Sequence, residues 1–141
     1  LASNLLQQLF KVRHAEVRPL SGCQAVQAAL TALTVPDDTI FSLPSIVGGH
    51  VSHHSSGVAG LIGRHVRDIP LRPAAFEIDL EGLRRAMHQC REESRSPRVL
   101  LVGSSLPLRS FPLKELREIA DDVGAKFIFD AAHVTGMIAG G

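Results

Sequence analysis

The chain has 141 residues, 45% of them hydrophobic and 21% charged, the makeup of one globular unit with a buried core rather than of a disordered or fibrous segment. Its 15 Lys and Arg against 14 Asp and Glu leave a formal charge of +1, so no strong basic field exists to hold nucleic acid or an anionic membrane, and the six aromatics, all Phe, supply few stacking platforms for single strands. Two cysteines are too few for a disulfide framework and point to a reducing, cytoplasmic setting, and no apolar run approaches the ~20 residues of a membrane span.

Leu5, Leu6, Leu9 and Phe10 fall at helical spacing, and Ala15-Glu16-Val17-Arg18 alternates as a short strand does. Ser21 is placed to cap a helix with Ala25, Val26, Ala28, Ala29, Leu30 and Leu33 in its interior, ending before the turn at Pro36-Asp37-Asp38. Thr39 to Leu43 is predicted as a strand. Pro44 to Ser56, rich in Gly, Ser and His, has no periodicity and reads as a long loop of the kind that carries function. A short helix at Val58 to Ile62 and a strand near Val66 to Ile69 follow; the glycines at 57, 60 and 63 fit close packing of that helix better than a dinucleotide fingerprint. Asp79 is the expected cap of a helix from Leu80 to about Cys90, with Leu80, Leu83 and Met87 on one stripe.

Arg98 to Gly103 is a nearly continuous apolar run, the pattern of a strand buried on both faces of a parallel sheet. The next helix has Ser110 as expected N-cap, Pro112 in its first turn, Leu113, Leu116, Ile119, Ala120 and Val123 on its buried side, and Gly124 as its stop. Lys126 to Asp130 reads as another buried strand, and Ala131 to Met137 turns into helix or loop. Alternation of strand and helix throughout predicts an α/β fold, a three-layer sandwich with a mostly parallel sheet, with residues 1–141 as one unit and no second domain.

In open parallel sheets ligands collect beyond the carboxyl ends of the strands, and four polar clusters fall at or near such ends. Ser21-Gly22-Cys23 opens a helix, where exposed amides and the positive end of the helix dipole favour a phosphate, although the same residues also serve as a plain cap. Gly48-Gly49-His50-Val51-Ser52-His53-His54 lets backbone approach a ligand and offers imidazoles to stack or ligate, or is a surface loop that holds histidines. Gly103-Ser104-Ser105 offers hydroxyls after a buried strand, or a simple turn. In Asp130-Ala131-Ala132-His133 a carboxylate ends a strand so apolar that its charge needs a partner; a protonated pyridine nitrogen would serve, and a helix N-cap is the plainer role.

Glu16 to Ala25, Gly48 to His53, Arg117 to Ala125 and Phe129 to Gly136 together resemble serine hydroxymethyltransferase, a family of pyridoxal-phosphate (PLP) enzymes, over nearly the whole chain. The resemblance implies the type I aminotransferase-like PLP fold, of which this chain is a central part of the large domain, and an obligate homodimer. It implies that Ser21, Gly22 and Cys23 hold the cofactor phosphate, that His50 lies against the ring, and that Asp130 pairs with the pyridine nitrogen. Ser105 and His133 would reach the phenolic oxygen, and His133 the substrate carboxylate as well. His50, Asp130 and His133 are the implied catalytic residues. The implied chemistry is one-carbon transfer between serine and glycine, or retro-aldol cleavage of 3-hydroxy amino acids.

Departures bear on the second substrate. Cys23 stands where the family usually has serine, Leu20 and Val47 where it has histidines, Pro107 where tyrosine is common, and Ser45 and Val51 where leucines flank the folate. These leave PLP binding intact and count against tetrahydrofolate, so a folate-independent aldolase or transaldolase stands as an alternative. The family's Schiff-base lysine is expected past Gly141; Lys11, Lys114 and Lys126 do not match its position. A fragment without that lysine is expected to be inactive, and a catalytically inactive homologue is a further alternative. A different class altogether is a zinc-dependent hydrolase using His50, His53, His54, Asp130 and His133.

Overall fold

A computed structural model describes residues 1–72, 77–93, 96–107 and 109–141. In chain order the elements are α1 (Ala2–Phe10), α2 (Gly22–Leu33), β1 (Thr39–Ser42), α3 (Val58–Leu61), β2 (His65–Asp68), β3 (Leu71–Arg72), β4 (Glu77–Ile78), α4 (Leu80–Glu92), β5 (Pro97–Val102), α5 (Leu113–Asp122), β6 (Lys126–Phe129) and α6 (Thr135–Gly140).

Four strands form one parallel sheet in the order β2-β1-β5-β6, with Ile40 opposite Val66 and Val99, and Leu100 opposite Phe127. The two central strands are the ones whose sequence is apolar along its length: every residue of β1 is buried, and of β5 only Arg98 is exposed. Because successive strand residues point to opposite faces, β1 and β5 feed two cores. Phe41, Leu100 and Val102 pack with Leu83 and Met87 of α4 and Leu116 and Ile119 of α5. Ile40, Val99 and Leu101 pack on the other side with Val26 and Leu30 of α2 and Ala59 of α3. Helices therefore cover both faces of a parallel sheet, the three-layer arrangement that the alternating elements predict.

Local signals set the helix ends. Ser21 Oγ accepts the Gln24 N–H at 3.2 Å and Asp79 Oδ1 the Gly82 N–H at 3.1 Å, so both expected caps form. At the far end of α5, Gly124 takes a left-handed φ of 76° and closes the helix onto Asp121 O. Arg64 is buried near the end of α2, donating to Thr34 Oγ1 at 2.7 Å, Thr34 O at 2.9 Å and Ile62 O, and so ties that helix to the turn before β2.

Several expectations need correction. Ala15 to Arg18 is not a strand: Glu16 Oε1 accepts both the Val17 and Arg18 N–H groups at 2.9 Å and the carboxylate pairs with the Arg18 guanidinium, a local ring in place of a ladder. That ring holds the Glu16 carboxyl down at a pKa of about 2. Ser110 does not cap α5; the helix begins at Leu113 with Pro112 as its flanking residue, whose ring fixes φ at −76° and brings no N–H to satisfy. The 44–56 stretch holds 3-10 turns at Ser45–Val47 and Val51–His53. The antiparallel pair β3–β4 is too short for any periodicity to announce it. β6 is half-buried rather than buried, with Lys126 exposed, as fits its place at one edge of the sheet. Among the described residues no helix is long and apolar enough to cross a membrane.

Candidate functional site

A cavity of about 240 Å³ opens where the N-terminus of α2 meets the segments that follow β5 and β6. It is lined by the turn Ser21-Gly22-Cys23, by Asp130 with Ala132 and His133, and by His50 and Ser104. The cleft lies beyond the carboxyl ends of the sheet, the ligand position that parallel topology favours.

Glycines make this lining possible. Gly48 has a left-handed φ of 90°, and Gly49 runs so close to β1's end that a Cβ would lie 1.9 Å from Leu43 O. The loop is then stitched to the segment after β5 by a bridge between Gly49 and Ser104 and by the Ser105 N–H donating to Gly48 O at 2.9 Å, which delivers His50 to the cavity. Asp130 is fixed by its N–H to Val102 O at 2.8 Å, and the chain packs tightly there: a Cβ on Gly103 would lie 2.6 Å from Asp130 Cβ.

The partner that Asp130's charge needs is His53, 77 positions away in sequence, whose Nε2 lies 2.9 Å from Asp130 Oδ2. Asp130 Oδ1 accepts the Ala132 N–H at 3.1 Å. The His53 bond, with the Ala132 amide helping and burial opposing, holds the Asp130 carboxyl below its ordinary pKa. Asp130 therefore stays ionised, and it does not cap α6, whose flanking residue is Val134. His50 meets His53 edge-on, ring centroids 5.8 Å apart at 61°, and its Nδ1 lies 2.7 Å from Ser52 Oγ, which orients the ring.

Gly22 and Cys23 belong to the first turn of α2, whose amides have no intrahelical acceptor. An added Cβ on Gly22 would meet nothing within 4 Å, so this turn is open to a ligand, and Cys23 is a free, exposed thiol. The cavity thus offers both amides with a helix dipole for an anion and an ionised acid for a cation. A small molecule with an anionic tail and a protonated ring matches that donor set.

Of the residues singled out in the sequence, Ser21, Gly22, Cys23, His50, Asp130 and His133 line this one cavity. Ser105 does not; its neighbour Ser104 does, with Ser104 Oγ accepting the Leu106 N–H at 3.2 Å. His53 and His54, in the same loop, are buried and do not line the cavity. Among the described residues no group of three or more His, Cys, Asp or Glu side chains is placed to hold a metal ion, so the zinc ligand set does not assemble. Sequence inspection missed His53 as the partner of Asp130, since nothing local marks a contact across 77 positions.

The family model for serine hydroxymethyltransferase matches residues 1–141. The serine hydroxymethyltransferase of Archaeoglobus fulgidus is 41% identical over 140 residues, covering 99% of this chain and 31% of that protein. An alpha-methylserine aldolase from a Ralstonia species is 39% identical over 142 residues, again 99% of this chain and 31% of that protein. The crystal structure of L-threonine transaldolase from Pseudomonas fluorescens superposes with a TM-score of 0.82 at 26% identity, over 99% of this chain and 30% of that one. The chain spans about 31% of the length of the curated relatives it matches.

Proposed function

The chain belongs to the serine hydroxymethyltransferase family, and from that premise we propose that residues 1–141 are the central part of the large domain of a PLP enzyme acting on small amino acids. The observation that carries this is one cavity lined both by the N-terminal turn of α2 and by the ionised Asp130. Ser21 with the Gly22 and Cys23 amides holds the cofactor phosphate, His50 lies along the face of the ring, and Asp130 pairs with the pyridine nitrogen. His133, which lines the cavity, serves the phenolic oxygen side and the substrate carboxylate; Ser105, outside the lining, is left without that role. When bound, PLP supplies an electron sink for a carbanion, and Asp130 keeps that sink charged. None of the residues that line the cavity is a lysine. The partner is a second copy of the same enzyme; α1 buries none of its residues, leaving Leu5 and Leu9 more than half exposed.

The favoured reaction is retro-aldol cleavage of 3-hydroxy amino acids, supported by relatives named as an aldolase and a transaldolase and by Ser45 and Val51 in place of leucines. One-carbon transfer from serine to tetrahydrofolate is the second reading, favoured by the 41% identity to a serine hydroxymethyltransferase. The test is to give the purified full-length protein PLP, then L-threonine, α-methylserine or L-serine, with and without tetrahydrofolate. A visible cofactor band and folate-independent release of aldehyde are expected. Serine turnover that requires folate selects the second reading, and a protein that takes up no PLP refutes both.

A further inference from the structure

The resemblance gives His53 no stated part, yet among the described residues it is the side chain that bonds the acid of the site. Its side chain is 0% exposed, and its Nε2 sits 2.9 Å from Asp130 Oδ2. An ionised carboxylate only accepts hydrogen bonds, so Nε2 carries the hydrogen and donates it. The other ring nitrogen, Nδ1, is sealed from solvent with no partner among the described residues. A proton there would be a buried N–H with nothing to accept it, attached to a buried cation, whereas a bare nitrogen is the smaller burden. The tautomer with hydrogen on Nε2 alone is therefore the one this packing selects. Asp130 keeps a side chain 21% exposed, with each oxygen taken by one partner, Oδ2 by His53 and Oδ1 by Ala132, and a lone pair still free.

Resting on the PLP reading above, we propose that His53 is a positioning residue: its Nε2–H pins Asp130 so that the carboxylate aims at the cavity, and its partnerless Nδ1 leaves the pair with one net negative charge for a cationic ring. The edge-on contact with His50 adds a second effect, since the same buried imidazole backs the ring that faces the cofactor. His53 touches neither cofactor nor substrate in this account and acts through Asp130.

The test uses the full-length protein, with PLP affinity of the apo form as readout and its thermal midpoint as a fold control. In a glutamine side chain the amide nitrogen falls where Nε2 does, while in asparagine it falls near Nδ1, so H53Q keeps the donor to Asp130 and H53N does not. H53N is expected to weaken PLP binding by about tenfold or more, the scale of a lost charge-assisted hydrogen bond, while H53Q stays within about threefold of the parent. In the Asp130→Asn background H53N should add nothing further. Equal PLP affinity of H53N and H53Q, or a loss in H53N that adds in full to that of D130N, overturns the proposal and leaves the PLP reading standing. A parent protein that binds no PLP overturns both.

Discussion

Replacing Gly103 by alanine tests how the packing of β5 against the segment after β6 places the acid. A Cβ at position 103 would lie 2.6 Å from Asp130 Cβ and 2.7 Å from Asp130 O. Carbon atoms settle at about 3.5–4.0 Å, so the Asp130 backbone must retreat by about 1 Å. These neighbours are backbone and Cβ atoms of a residue tied at both ends, by N–H to Val102 O and by side chain to His53, so no flexible tip can swing aside. Overpacking of this kind costs about 1–3 kcal/mol of stability. A shift of about 1 Å would also stretch the 2.9 Å His53–Asp130 bond past hydrogen-bonding range. Displacement of a positioned group on that scale costs on the order of 100-fold in function. The assay is urea unfolding and PLP affinity of full-length G103A, beside G136A, where an added Cβ meets nothing within 4 Å. G103A should lose both stability and cofactor while G136A keeps both. A G103A protein as stable and as tightly loaded as the parent would refute the close-approach argument.

Other expected outcomes follow from single contacts. Leu116→Ala empties a fully buried position in the α4–α5 core and should cost about 2–5 kcal/mol in urea unfolding without changing PLP affinity per folded molecule. Arg64→Ala removes the buried guanidinium that binds Thr34 and Ile62 and leaves those carbonyls unpaired, which should lower stability by about 1–3 kcal/mol, again with the cofactor site intact. Ser21→Ala should lose about 0.5–2 kcal/mol through the missing cap to Gln24 and also weaken PLP more than it weakens pyridoxal, which lacks the phosphate. Because Asp130 has a lower pKa folded than unfolded, its stabilising contribution is complete above the ordinary carboxylate value of about 3.9 and is lost as pH falls through the folded value. Urea midpoints measured down the acid limb should therefore fall more steeply for the parent than for D130N.

Elements with strong local instructions were legible in the sequence. Ser21 and Asp79 each supply an oxygen to the amide three residues on, and the run from Val99 to Val102 has no polar side chain, so it reads as a strand shielded on both faces. Glu16 and Arg18 show where alternation misleads: the pattern is that of a strand, but without a neighbouring strand the polar atoms satisfied one another locally. The β3–β4 pair and the 3-10 turns of the loop are too short to carry a period. In the site, the need of Asp130 for a partner was readable from its apolar surroundings, but not that His53 meets it, because that contact depends on how the 44–56 loop folds back over β1 and β5. That Ser104 rather than Ser105 lines the cavity likewise depends on a long-range contact, the bridge from Ser104 to Gly49 beyond the end of β5.

The most direct measurement is a crystal structure of the full-length protein with PLP bound. The account predicts the phosphate on the Gly22 and Cys23 amides beside Ser21, the pyridine nitrogen within hydrogen-bond distance of Asp130, and His53 still donating to the far side of that carboxylate. A cofactor seated with Asp130 facing no ring nitrogen, or a phosphate held away from the start of α2, would contradict it.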